Sequence, residues 1–146
     1  VALLAASAMG LTSCSGRAPG RPDVMMSIHR VAKTEDGDQI VVEAHLTNTG
    51  KSSVVLHTVH PEGLLAVGAW ELYAADRRLE VDDVTVARDL QLAPGEVKSV
   101  LVGVRATDDI AWPLTRPLVL VAGFIGSTVE GRFMDQAMEL RAEQEN

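Results

Sequence analysis

The sequence predicts an all-β, antiparallel two-sheet sandwich, and three observations carry that expectation. Apolar residues alternate with polar ones over several short stretches, the period of a strand with one buried face. Gly, Pro, Asn and Asp punctuate those stretches at regular intervals. No segment after residue 23 shows a sustained helical period.

The composition suits one such domain. The chain has 146 residues, 47% of them hydrophobic and 23% charged, in the range of a folded protein. The net charge of −7 argues against a general nucleic-acid binder, which needs clustered Lys and Arg. Glu80, Asp82, Asp83 and the tail acids Glu139, Glu143 and Glu145 read as solvated surface. Aromatic residues are only 3%, so the core is expected to be aliphatic. With one cysteine there is no intramolecular disulfide.

Residues 1–13, "VALLAASAMGLTS", are uncharged, small and apolar. They read as the later part of a truncated signal peptide whose Met and charged start would precede Val1. Leu11-Thr12-Ser13-Cys14 resembles the lipobox of bacterial lipoproteins: Leu three positions before a cysteine, then two small residues. The resemblance implies cleavage before Cys14 and acylation of its thiol, with each buried CH₂ adding about 0.8 kcal/mol of membrane affinity. It implies a lipid-anchored protein of the cell envelope, outside the cytoplasm. Ser15 after the cysteine implies the periplasmic face of the outer membrane in a Gram-negative host. Two other readings stand beside it: ordinary cleavage near Ala6-Ser7-Ala8, leaving a free thiol, and a buried apolar helix. Residues 14–23 then form the lipidated cysteine and a Pro/Gly tether, in which Arg17 and Arg21 lie near the membrane.

The domain is expected over 24–141, followed by an acidic tail at 142–146. In "QIVVEAHLTNTG", Ile40, Val42, Ala44 and Leu46 face one side and Glu43, His45 and Thr47 the other. Asn48-Thr49-Gly50 supplies a turn, and Ser53–His57 is expected to return as the second arm of a hairpin. Trp70, Leu72 and Ala74 alternate with Glu71 and Tyr73, and Asp76-Arg77-Arg78 turns into a strand at 79–81. Ala93-Pro94-Gly95-Glu96 is a turn leading into a strand at 97–104. "LVLVAGFIG", 118–126, is apolar throughout, as a central strand is. Residues 132–141 read as a strand, with Met134, Met138 and Leu140 on one face, or as a short helix; the strand, closing a hairpin with 118–126, is the favoured reading.

The "TNTG" turn and the downstream "LAPGE" are similar to those of immunoglobulin-like domains in bacterial extracytoplasmic proteins. The resemblance spans roughly 24–141 and implies an immunoglobulin-like sandwich. Its motifs describe turns, so they imply fold and not activity. The Cys…Trp…Cys pattern of antibody domains is absent.

No Gly-rich phosphate loop, GxSxG, HExxH or CxxC occurs. Asp108-Asp109 is a carboxylate pair whose plainer reading is a turn, so no enzyme is expected; a hydrolase is the third class kept. The sharper alternative is metal. His57, His60, Met25, Met26 and His29 are imidazole and thioether donors, the set that suits copper. Against this, residues three apart on a strand face opposite sides, so His57 and His60 converge only if the strand breaks between them. Met25 or Met26 also reads as core filler. Trp70 alternates with core positions, and Trp112 reads as a loop anchor on a sheet edge. The expected function is a binding or scaffolding module that meets an envelope protein, without a cofactor; the alternative is a copper carrier.

Overall fold

The computed structural model describes residues 23–57, 70–85, 89–128 and 136–145. Two antiparallel sheets pack face to face. The first contains β1 (Val24–Lys33), β2 (Gln39–Asn48), β8 (Val97–Arg105) and β6 (Val81–Thr85), in the order β1-β2-β8-β6. The second contains β3 (Val54–His57), β4 (Trp70–Ala74), β5 (Arg77–Leu79), β7 (Asp89–Leu92), β9 (Leu118–Thr128) and β10 (Gln136–Gln144). Strand β9 is its spine. One edge of β9 pairs with β10; the other pairs with β4 over Leu118–Ala122 and with β3 over Ile125–Thr128. The predicted central strand and its hairpin with the C-terminal strand are both present. Strand β10 continues to Gln144 and buries Ala142, so the strand takes in the start of the acidic stretch.

The alternation read from the sequence sets the packing. Ile40, Val42, Ala44 and Leu46 are all buried, facing Leu56, Leu72, Leu92, Leu118 and Leu120 from the second sheet. The core is aliphatic apart from Trp70 and Phe124, which meet edge to face with ring centroids 5.5 Å apart. Each fully buried Leu, Ile or Val contributes on the order of 1.5–3 kcal/mol relative to exposure.

Two connections depart from expectation. The strand expected at 79–81 is split, since Leu79 ends β5 in the second sheet and Val81 opens β6 in the first. Residues 39–57 are not a hairpin: β2 pairs with β1 and β8, whereas β3 pairs with β7 and β9. The Asn48-Thr49-Gly50 segment carries the chain from one sheet to the other. Its geometry explains why. Asn48 is fully buried. Its Nδ2 donates to the carbonyls of Ser52 (2.8 Å) and Leu92 (2.9 Å), and its Oδ1 accepts from the Gly50 N–H (2.9 Å). Its backbone N–H donates to the Glu96 carbonyl (3.1 Å), and its carbonyl accepts from Gly95 N–H (2.8 Å). The turn at 93–96 returns the chain from β7 in the second sheet to β8 in the first, so Asn48 pins two opposite crossovers together. Gly95 serves this turn with φ of +79°. Gly50 serves the other crossover by closeness, since an added Cβ would meet the Asp23 Cβ at 2.9 Å.

Two substitutions test the crossover. Asn48→Ala removes the side-chain donor to the Ser52 and Leu92 carbonyls and the acceptor of the Gly50 N–H; urea denaturation is expected to show a loss of about 2–4 kcal/mol, at about 1–3 kcal/mol for each buried group left unsatisfied. Gly95→Ala meets no atom within 4 Å, so its expected cost of about 1–2 kcal/mol is that of the left-handed backbone alone.

Candidate functional site

The inward side of the four-stranded sheet is core, and its outward side is a surface of defined composition. Cross-strand registers arrange that surface in rows. Met25, Thr47 and Val97 form one row; Ser27, His45 and Ser99 the next; Arg30, Glu43, Leu101 and Thr85 a third. Met25, Val97 and Leu101 are 55%, 51% and 41% exposed. Among the described residues, the other exposed large hydrophobic is Trp112.

A β-bulge interrupts the first edge of this face. Ile28 pairs with Ala44 and Arg30 with Glu43, so His29 is the extra residue between them. Alternation from Met25 and Ser27 already turns His29 outward; the bulge re-aims Arg30 to the same face, opposite Glu43, and lets Val31 pack inward opposite Val42. Here the His29 ring stacks on that of His45, with centroids 4.2 Å apart and planes 17° apart. Glu43, two residues before His45 and on the same face, completes the group. His45 Nε2 lies 2.9 Å from Glu43 Oε2, while Arg30 Nε lies 3.7 Å from the other oxygen, Oε1. One donor atom from each of His29, Glu43 and His45 falls within 4.8 Å of the other two. The hydrogen bond to His45 holds the Glu43 carboxyl below the usual glutamate range, and the charges of His29, His45 and Arg30 add to the effect.

The donors named from the sequence do not converge on this point as a set. Met26 is buried in the core, facing away from the outward surface where Met25 lies. His57 belongs to the other sheet, where it sits directly opposite Asp89 with Nδ1 2.7 Å from Oδ1. That geometry divides the residues of a copper site built on both His57 and His29 between two sheets. His60 and Cys14 lie outside the described residues. Asp109 is no partner for Asp108: it pairs with Arg77 and accepts from the Thr107 hydroxyl, which together hold its carboxyl below the usual range. Trp112 stands 40% exposed.

A cleft of about 620 Å³ lies at the end of the sandwich, lined in part by Arg77, Arg78 and Arg105. Its arginines are engaged within the chain. Arg77 pairs with Asp109, Arg78 Nη2 lies 3.4 Å from Glu71, and Arg105 Nη2 lies 3.8 Å from Asp82.

No protein-family model matches the chain, and no curated protein matches it. Among solved structures, it is similar to a Bordetella pertussis protein described as ApaA, with 19% identity and a TM-score of 0.45 over 82% of this chain and 92% of that one. It is also similar to the ASH/PapD-like domain 7 of human CEP192, with 12% identity and a TM-score of 0.45 over 91% of each chain. The two-sheet sandwich is established by its own strand pairing, and these likenesses say nothing of function.

The electrostatics of the outward cluster are testable. Folding lowers the Glu43 pKa from its ordinary 4.5, so the contact adds stability above that pH and loses it as pH falls through the folded value. Carboxyl NMR is expected to give a Glu43 midpoint below 4.5, and His45→Ala is expected to move it upward. An unmoved midpoint would show that the hydrogen bond is not the cause.

Proposed function

We propose that this chain is a protein-interaction module of the bacterial cell envelope, tethered through an acylated Cys14. It presents the outward face of the four-stranded sheet to a protein partner. The observation that carries the reading is the placement of Met25, Val97 and Leu101 together on that face. Single exposed apolar residues are ordinary, but a group of them on one flat surface marks a contact region. The opposite side of the same sheet already supplies the core, so these three gain nothing for folding by their position. Polar Thr47, Ser27 and Ser99 stand between them, as in the mixed surface of a non-obligate interface. The chain's net charge of −7 favours a partner whose contact surface carries basic residues.

The tether rests on the sequence "LTSC" and the Pro/Gly stretch behind it. Acyl chains on Cys14 would hold the module at the membrane, with residues 15–23 giving it reach. Binding, rather than catalysis, also fits Asp109, whose commitment to Arg77 and Thr107 takes it out of any acid–base pair with Asp108.

Two measurements separate the parts of this reading. With a complete leader, Cys14→Ala is expected to move the protein from the membrane fraction to the soluble one; retention after a high-salt wash, with no lipid mass on wild-type Cys14, would overturn the tether. In membranes carrying the wild-type anchor, Met25→Lys and Leu101→Lys are expected to abolish crosslinking to the partner without altering the circular dichroism spectrum. Crosslinking that survives both changes would place the contact on another surface.

A further inference from the structure

The outward face carries, in addition to its apolar residues, a group whose chemistry partner binding does not explain. We propose that His29, Glu43 and His45 form a binding site for a divalent first-row cation of the zinc type. The inference is independent of the proposed partner, because it concerns the affinity of the protein by itself.

The donor set selects the class of ion. Two imidazoles and one carboxylate suit zinc and its neighbours, whereas magnesium and calcium prefer all-oxygen shells. Three protein ligands leave a fourth tetrahedral position for water or an incoming group. The geometry is close to that required. Ligand bonds of about 2.0–2.2 Å place tetrahedral donor atoms roughly 3.3–3.5 Å apart, and the three donors already lie within 4.8 Å of one another. Small side-chain rotations close the difference.

The backbone is fixed on all sides. Glu43 and His45 stand on β2, which is hydrogen-bonded to β1 and β8 along its length. His29 follows Ser27 on the outward face of β1 and stands at the bulge, where its ring lies over His45. Alternation from Met25 and Ser27 already turns residue 29 outward, and the bulge adds Arg30 to the same face opposite Glu43. The two carboxylate oxygens are also differentiated. Oε1 faces Arg30, and Oε2 faces His45 with Ser99 Oγ at 3.5 Å. A cation between Oε2 and His45 Nε2 would take the place of the proton they share: in a neutral ring that proton moves to Nδ1, and a protonated ring gives up one proton to solvent. Arg30 would keep Oε1, and Ser99 would orient the ligating oxygen as an outer-shell partner. The groups facing the site are thus His29 and Arg30 from β1, Glu43 and His45 from β2, and Ser99 from β8. Arg30 is the one fixed positive charge among them, and it points its head to solvent with 70% of its side chain exposed, where water screens its repulsion of a cation.

The test is calorimetric titration of zinc chloride into the metal-free full chain carrying Cys14→Ala, so that no thiol competes. One saturable site is expected. His29→Ala and His45→Ala are each expected to weaken it about tenfold or more, since loss of a ligand costs at least as much as loss of an outer-shell partner. His57→Ala, on the other sheet, is expected to leave it unchanged. Because all three histidines are outside the core, their variants should keep the wild-type circular dichroism spectrum. In the parent protein, zinc is expected to shift the ring resonances of His29 and His45 and not those of His57. Absence of saturable binding, or a site indifferent to both His29→Ala and His45→Ala, would overturn the proposal.

Discussion

The side-chain amide of Asn48 is buried at the point where the two sheets exchange strands, and the arrangement of the sandwich depends on its being satisfied there. It donates to the carbonyls of Ser52 and Leu92 and accepts from Gly50. Its main chain exchanges hydrogen bonds with Gly95 and Glu96. A buried amide left without these partners would cost more than the bonds themselves contribute. The constraint is therefore directional as well as energetic: only one mutual placement of the 48–52 and 92–96 segments satisfies every group. That placement fixes where β2 leaves the first sheet and where β8 enters it.

The consequence appears on the outward surface. Because β2 and β8 are set against each other at their Asn48 end, their register runs unbroken from Thr47 opposite Val97 to Gln39 opposite Arg105. Leu101 then falls beside Glu43, and Ser99 beside His45. Strand β1 follows the same register to Ile28 and then slips by one residue. The slip leaves His29 on the outward face, brings Arg30 out beside it and restores Val31 to its place opposite buried Val42. Met26 and Ile28 before the bulge and Val31 after it pack on the core and keep β1 in position.

The two ends of the molecule handle charge differently. Around the cleft, Arg77, Arg78 and Arg105 meet Asp109, Glu71 and Asp82, and the charges are largely consumed within the chain. On the outward face, one carboxylate meets two imidazoles and a guanidinium. Imidazoles are the side chains that can be neutral donors near neutral pH. The group can therefore exchange a shared proton for a cation, which a fixed Arg–Asp pair cannot.

The sequence by itself determined the strands, the faces of most of them and the aliphatic character of the core. Strict alternation at Ile40–Thr47 and Trp70–Ala74, and the unbroken apolar run at 118–126, are local signals that need no knowledge of neighbours. It also showed that Glu43 and His45 share a face, since they are two residues apart on one strand. It could not show that "NTG" is a crossover and not a hairpin. The same turn chemistry serves both, and the choice is made by Leu92 and Glu96, more than forty positions away. Nor could it bring His29 to His45. Alternation from Met25 and Ser27 puts His29 on the outward face, but which residue of β2 it meets is set by the register of β1 on β2, and that is decided by how the buried residues on either side of the bulge meet the core. Pairing across strands, more than the composition of any one of them, assembled the candidate site.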